Sequence, residues 1–157
     1  MSTDFVDSLL ADLPSEEVND KRLGKHDDAV LKTDVEITSN EWEGKLLYSL
    51  TAKFDITDQE GQPAVVQQGI SIPDSEAPNG YKQQLLQWLK AFQLVDASSK
   101  NAPILPANAS DEDRQAFVEK VASAFNTRVG AEVPIVVYQS KKGFVNVRAG
   151  TPAKKVD

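Results

Sequence analysis

LLYSLTAKFDI, residues 46–56, alternates strictly between two kinds of side chain. Leu46, Tyr48, Leu50, Ala52, Phe54 and Ile56 fall on one side, and Leu47, Ser49, Thr51, Lys53 and Asp55 on the other. Successive side chains of a strand point to opposite faces, so a period of two over this length predicts a half-buried β-strand. Downstream, Asp58-Gln59-Glu60-Gly61-Gln62-Pro63 reads as a hairpin connection. The returning strand spans Ala64 to Ile72, with Val66, Ile70 and Ile72 inward and Val65, Gln67, Gly69 and Ser71 outward. Pro73, which has no backbone N–H, stops it. Upstream, Thr33, Val35 and Ile37 alternate with charge and predict a strand over 30–39. Ser39 to Gly44 then breaks the pattern as a loop.

Beyond Pro73 the period changes to that of helices. Tyr81, Leu85, Trp88, Leu89 and Phe92 recur at helical spacing, predicting a helix over 79–93 with one apolar stripe. Ser110 caps a second helix, with Asp113 at capping-box spacing and acids in the first turn. Val118, Val121 and Phe125 supply its buried face. The segment between them, Asp96 to Asn108, contains Pro103 and Pro106 and reads as a loop. Glu132 to Gln139 and Phe144 to Arg148 return to strand periodicity around the turn Ser140-Lys141-Lys142-Gly143.

This order predicts a mainly β, α+β fold. Its leading form is a five-stranded OB-like Greek-key barrel with a helical insert between strands three and four. An α+β sandwich, with both helices on one face of a five-stranded sheet, satisfies the same order. The domain is expected over 29–149, after an acidic segment and polar linker at 1–28 and before a basic, flexible tail at 150–157. Within the first segment, Phe5, Leu9 and Leu13 fall on one face of a short helix ended by Pro14. Such a face suits docking in a groove, whether of another protein, of this domain's own basic face, or of a second subunit of a homo-oligomer.

Composition removes much chemistry. The 157 residues are 40% hydrophobic and 26% charged, which is ordinary for one globular domain. With no cysteine there is no disulfide, thiolate metal site or thiol nucleophile. His26 is the only histidine and lies in the polar linker, so it reads as a bystander. One histidine also leaves no multi-histidine metal site and little room for Ser-His catalysis. There is no Gly-x-x-x-x-Gly-Lys or Gly-x-Gly-x-x-Gly cradle for a nucleotide. Asp111, Glu112 and Asp113 point in different directions from consecutive helical positions and read as first-turn charges rather than metal ligands. No stretch approaches the roughly 18 apolar residues of a membrane span. Asp4 and Asp7 stand where an export signal carries bases, so a cytoplasmic setting is expected. The expectation is a non-enzymatic protein with no cofactor.

Charge is unevenly spread. The formal net charge is −7, with −5 in residues 1–28, −6 in 29–137 and +4 in 138–157. The basic end is a reason to look for an anionic partner.

The run EGKLLYSLTAKFDI, then LLQWLKAFQL, then VGAEVPIVVYQSKKGFVNV resembles small phage-encoded proteins that accompany recombination and replication genes and are similar to OB-fold single-stranded DNA-binding proteins. The resemblance covers residues 29–149. It rests on element order and on Gly130, Val133 to Val137, Lys142 to Phe144 and Asn146-Val147. It implies binding of single-stranded DNA in phage replication or recombination, in the host cytoplasm, with a replication or recombination protein as a partner for the Phe5, Leu9 and Leu13 face. Binders of this kind combine cations that follow the backbone with aromatics on which bases stack. On an OB-like fold the residues placed for this are Trp42, Lys45 and Lys53, then Tyr138, Lys141, Lys142, Phe144 and Arg148. The competing expectation is an acidic protein-interaction module, such as an inhibitor or virion accessory protein, that binds no nucleic acid.

Overall fold

The computed structural model of the chain describes residues 20–42 and 44–152. Six strands and two helices follow as β1 (Gly24–Leu31), β2 (Glu36–Trp42), β3 (Lys45–Thr57), β4 (Pro63–Ile72), α1 (Asn79–Ala91), α2 (Asp111–Asn126), β5 (Glu132–Gln139) and β6 (Val145–Ala149). The segment carrying Phe5, Leu9 and Leu13, and the tail beyond Pro152, lie outside the described residues.

β3 organises the sheet because it is long enough for three neighbours. One edge pairs with β4 from Tyr48↔Ile72 to Thr57↔Pro63. The other edge is divided: β2 takes Lys45 to Thr51, and β1 takes Phe54 and Asp55. β1 pairs onward with β5, and β5 with β6, in a mainly antiparallel arrangement. The alternation of residues 46–56 reappears as burial of Leu50, Ala52, Phe54 and Ile56, matched on β4 by Val66, Ile70 and Ile72. Among the described residues no helix is long and apolar enough to cross a membrane.

Four expectations need correction. The strand expected over 30–39 is two strands, because the chain leaves the ladder at residues 32–35. There the Lys32 N–H still reaches the Lys53 carbonyl, but the Val35 N–H donates to Asn126 Oδ1 at 2.8 Å, where α2 ends against the sheet. The loop expected at 39–44 is strand as far as Trp42, which pairs with Lys45 across a two-residue turn. Cross-strand pairing, with Thr38 and Ser49 hydroxyls 2.6 Å apart, outweighs the weak strand preference of Ser, Asn and Glu. Gly44, at φ +77, supplies the left-handed backbone that so tight a turn needs.

The third correction concerns residues 24–28, read as linker but forming the start of β1. The register against β5 shifts between His26 and Ala29, so a bulge at Asp27-Asp28 lets both flanking residues face the core. His26 is therefore buried, with Nε2 donating to the Arg22 carbonyl at 2.7 Å. The fourth is Tyr81, expected in the buried stripe of α1. It sits in the first turn and remains 48% exposed, whereas Leu85, Trp88, Leu89 and Phe92 are buried.

An aromatic cluster joins the layers. Phe54 of β3 stacks on Trp88 of α1 with centroids 5.7 Å apart, and Phe92 meets Phe125 of α2 edge-on at 4.7 Å. Ser110 Oγ accepts the Asp113 N–H at 3.1 Å, the cap expected from sequence. α1 ends less conventionally. Gln93 takes the left-handed conformation at φ +57 while the Leu94 N–H reaches back to the Leu89 carbonyl. Arg128 secures this end by donating to the Phe92 and Gln93 carbonyls.

The loops flanking the helices are tied by a buried ion pair that the sequence reading did not anticipate. Arg114 of α2 meets Asp74 at 3.2 Å with both side chains almost fully enclosed. Arg114 also donates to the Ala109 and Ala107 carbonyls, and Asp74 Oδ1 accepts the Glu76 N–H at 2.9 Å. Such a pair is costly to break from one side, because the remaining charge is stranded. Asp74→Ala should lower unfolding stability by about 3–5 kcal/mol in urea melts, and Asp74→Ala with Arg114→Met should cost less than the single change. Gln93→Gly should act in the opposite direction, raising stability by about 1 kcal/mol as the left-handed strain is relieved.

Candidate nucleic-acid interface

β5 carries Val133, Ile135 and Val137 into the core, so Val136 and Tyr138 point outward. On one side Val136 pairs with Lys25 of β1, and on the other with Arg148 of β6. Lys25 and Arg148 thus flank one valine in a row across three strands, about 10 Å apart by strand spacing. Tyr138, two residues along, pairs with Asn146 and is 43% exposed.

The turn between β5 and β6 extends this face. Its Ser140 N–H donates to the Phe144 carbonyl at 2.9 Å, and Ser140 Oγ accepts the Phe144 N–H at 3.2 Å. Gly143, at φ +89, allows the reversal. The Gln139 side-chain amide donates to the Gly143 carbonyl, and that of Asn146 to the Phe144 carbonyl. Lys141 and Lys142 are exposed at this tip. Phe144 shares parity with Asn146 and Arg148 and is 68% exposed, so it is not a core residue.

Ion pairing engages several of the other cations. Lys21 pairs with Glu60, Arg22 with Asp20, Lys32 with Asp55 at 3.7 Å and Lys53 with Glu36 at 3.9 Å. The Arg22 guanidinium holds the Asp20 carboxyl below its usual range. That pair therefore stabilises the fold above the ordinary carboxylate pKa and is lost as pH falls through the depressed value. Among the described residues, Lys25, Lys141, Lys142 and Arg148 have no carboxylate within ion-pair distance, as is also true of Lys82, Lys90, Lys100, Lys120 and Arg128, and Asp27 shares the outward side of β1 with Lys25. What sets these four apart is that they gather on one face beside Tyr138 and Phe144.

The structure thus brings together Tyr138, Lys141, Lys142, Phe144 and Arg148 from the sequence candidates. Trp42, Lys45 and Lys53 stand apart. Lys53 lies on the outer side of β3, engaged with Glu36. Trp42 and Lys45 pair at the β2–β3 hairpin, and their side chains lie outside what is described. The basic face lies toward the opposite end of β3, since the Lys21 and Leu23 carbonyls, just before β1, accept from Gln59. Some 40 Å of strand runs between the two ends. Lys25 was missed because it was read as linker. Its only sequence signal is the sequence His26-Asp-Asp-Ala29, where a bulge hides the period of two.

No protein-family model matches the chain, and a search of curated proteins gave no match. The interface therefore rests on its own geometry.

Because these side chains lie outside the core, truncating them should barely affect folding. Phe144→Ala and Arg148→Ala should each shift stability by less than about 0.5 kcal/mol in thermal melts. A larger loss for Phe144→Ala would mean that the ring is packed.

Proposed function

We propose that the outward face of β1, β5 and β6 binds single-stranded DNA without catalysis. Lys25, Lys141, Lys142 and Arg148 neutralise backbone phosphates, and Tyr138 and Phe144 offer flat faces for bases. The observation that carries this reading is the gathering of four cations, without ion-pair partners among the described residues, with exposed aromatics on one face of an otherwise acidic protein. Each stacked base contributes roughly 1–3 kcal/mol and tolerates any sequence.

The fold we propose for this activity is an OB-like Greek-key barrel, with β1 and β2 acting as one broken first strand and the helices inserted between β4 and β5. Two observations support closure between β4 and β6. The Val147 N–H of β6 donates to Gln68 Oε1 of β4 at 3.0 Å. The offset around the sheet also fits tilted strands. Through Val137 and Gly24, Val147 leads toward the Gln59 end of β3, whereas across the gap it meets Gln68, the partner of Ala52. A stagger of this kind is what a closed barrel requires. On the resemblance of residues 29–149, the setting is phage replication or recombination.

The test is fluorescence anisotropy with a labelled oligothymidylate of about 15 nucleotides. Affinity should fall with rising salt, at a log–log slope near −0.7 per phosphate contacted, or about −3 if all four cations engage. Tyr138→Ala and Phe144→Ala should each weaken binding by roughly 1–3 kcal/mol with the slope unchanged. Lys25→Ala and Arg148→Ala should each reduce the slope by about 0.7. No binding at low salt would refute the proposal and leave the acidic interaction module as the better reading.

A further inference from the structure

Asn79-Gly80 opens α1, and it is the only Asn-Gly pair in the sequence. An asparagine followed by glycine carries the parts of an intramolecular reaction. The backbone nitrogen of the glycine can close on the asparagine's own side-chain carbon, and no Cβ on the glycine stands in the way. A fold permits this where the pair is exposed, the nitrogen is unengaged and the backbone can leave helical geometry, which holds the two atoms apart.

The start of α1 meets all three conditions. Asn79 and Gly80 are both exposed, and a Cβ added to Gly80 would meet nothing within 4 Å. The Gly80 N–H is the second of the helix, among the four that have no intrahelical acceptor. This turn is also weakly held. Pro78 stands at the N-cap without a side-chain hydrogen bond and no acid follows it in the first turn, whereas α2 has the Ser110 cap and three acids. Gly80 adds the low helix propensity of glycine. Unwinding residues 79 and 80 gives up exposed hydrogen bonds that water replaces, such as that from the Tyr81 N–H to the Pro78 carbonyl at 3.1 Å. The buried residues of α1 begin only at Leu85, so the core stays closed.

We propose that Asn79 is a modification site, at which the Gly80 nitrogen displaces the side-chain amide and leaves a carboxylate at the head of α1. The nitrogen gives its proton to solvent and bonds to Asn79 Cγ; the Cγ–Nδ2 bond breaks and ammonia leaves. Water then opens the cyclic imide at one of its two carbonyls. One opening gives an aspartyl residue with a normal backbone. The other routes the chain through Cβ and Cγ as an isoaspartyl residue. One water is consumed and one ammonia released, so the conversion needs no cofactor. The two products act oppositely on the fold. The aspartyl form supplies the first-turn acid that α1 lacks, whereas the isoaspartyl form adds a carbon to the backbone and disrupts the turn.

The experiment incubates the folded full chain in mildly alkaline buffer and follows its tryptic peptides by mass spectrometry. Asn79 is the only asparagine in the peptide Phe54–Lys82, which should gain the mass of an amide turned carboxylate. An isoaspartyl methyltransferase with labelled S-adenosylmethionine should then mark the isoaspartyl fraction. Gly80→Ala should slow the conversion at least about fivefold, through helix propensity alone. Pro78→Ser leaves the Asn-Gly pair intact but adds a cap where the backbone already has the extended geometry for one, and should slow it about fivefold. Thermal melts confirm that both variants are folded, and the same chain in urea gives the rate without the helix. Conversion in urea but not in the folded chain would overturn the inference. So would conversion at the other asparagines in preference to Asn79, or an unchanged rate in both variants. The basic face takes no part in the reaction, so this result is independent of DNA binding.

Discussion

Phe54 is where the architecture is joined. Its backbone stands in the β3 ladder between Leu31 of β1 and Val66 of β4, and its ring stacks on Trp88 of α1. Through Trp88 and Phe92 the contact continues to Phe125 of α2. One side chain thereby fixes the position of three strands and both helices. Aromatic rings suit this role because each buries a large apolar area and prefers particular offsets to its neighbours, so the cluster sets orientation as well as cohesion. The sheet cannot rotate beneath the helices without opening a cavity at its centre.

Around this centre the chain repeatedly satisfies polar groups in places where regular pairing stops. Val35 leaves the ladder and finds Asn126; the exposed carbonyls at the end of α1 find Arg128; the loops beside the helices close over Asp74 and Arg114. Each arrangement uses a side chain distant in sequence to complete a backbone or charge that would otherwise be costly to bury. Long connections are thus tied to the strands and helices they link.

The electrostatic character of the surface follows from where charges gather rather than from totals. A net charge of −7 describes the chain but not its β1–β5–β6 face, where four cations gather without an ion-pair partner among the described residues. Elsewhere Lys21, Arg22, Lys32 and Lys53 meet carboxylates, and the fields of such pairs largely cancel over a Debye length. The uncompensated groups decide what the surface attracts.

Sequence determined the elements whose periodicity is local. Residues 46–56 and 64–72 are strands because alternation by two can bury only one side, and the stripes from Leu85 and Val118 become helices for the corresponding reason. The outward direction of Tyr138, Phe144 and Arg148 follows from the same parity. Tertiary structure alone decided the rest. The bulge at Asp27-Asp28 hid a strand and with it Lys25, because a bulge interrupts the very period by which strands are read. The break at 32–35 comes where the Val35 N–H turns to Asn126 at the end of α2, and Tyr81 stays exposed in the first turn of α1 instead of joining the buried stripe. Which cations share a face, and which are neutralised, depends on ladder register between residues more than a hundred positions apart, such as Lys25 and Val136. No local pattern encodes that distance; burial of the shared core does.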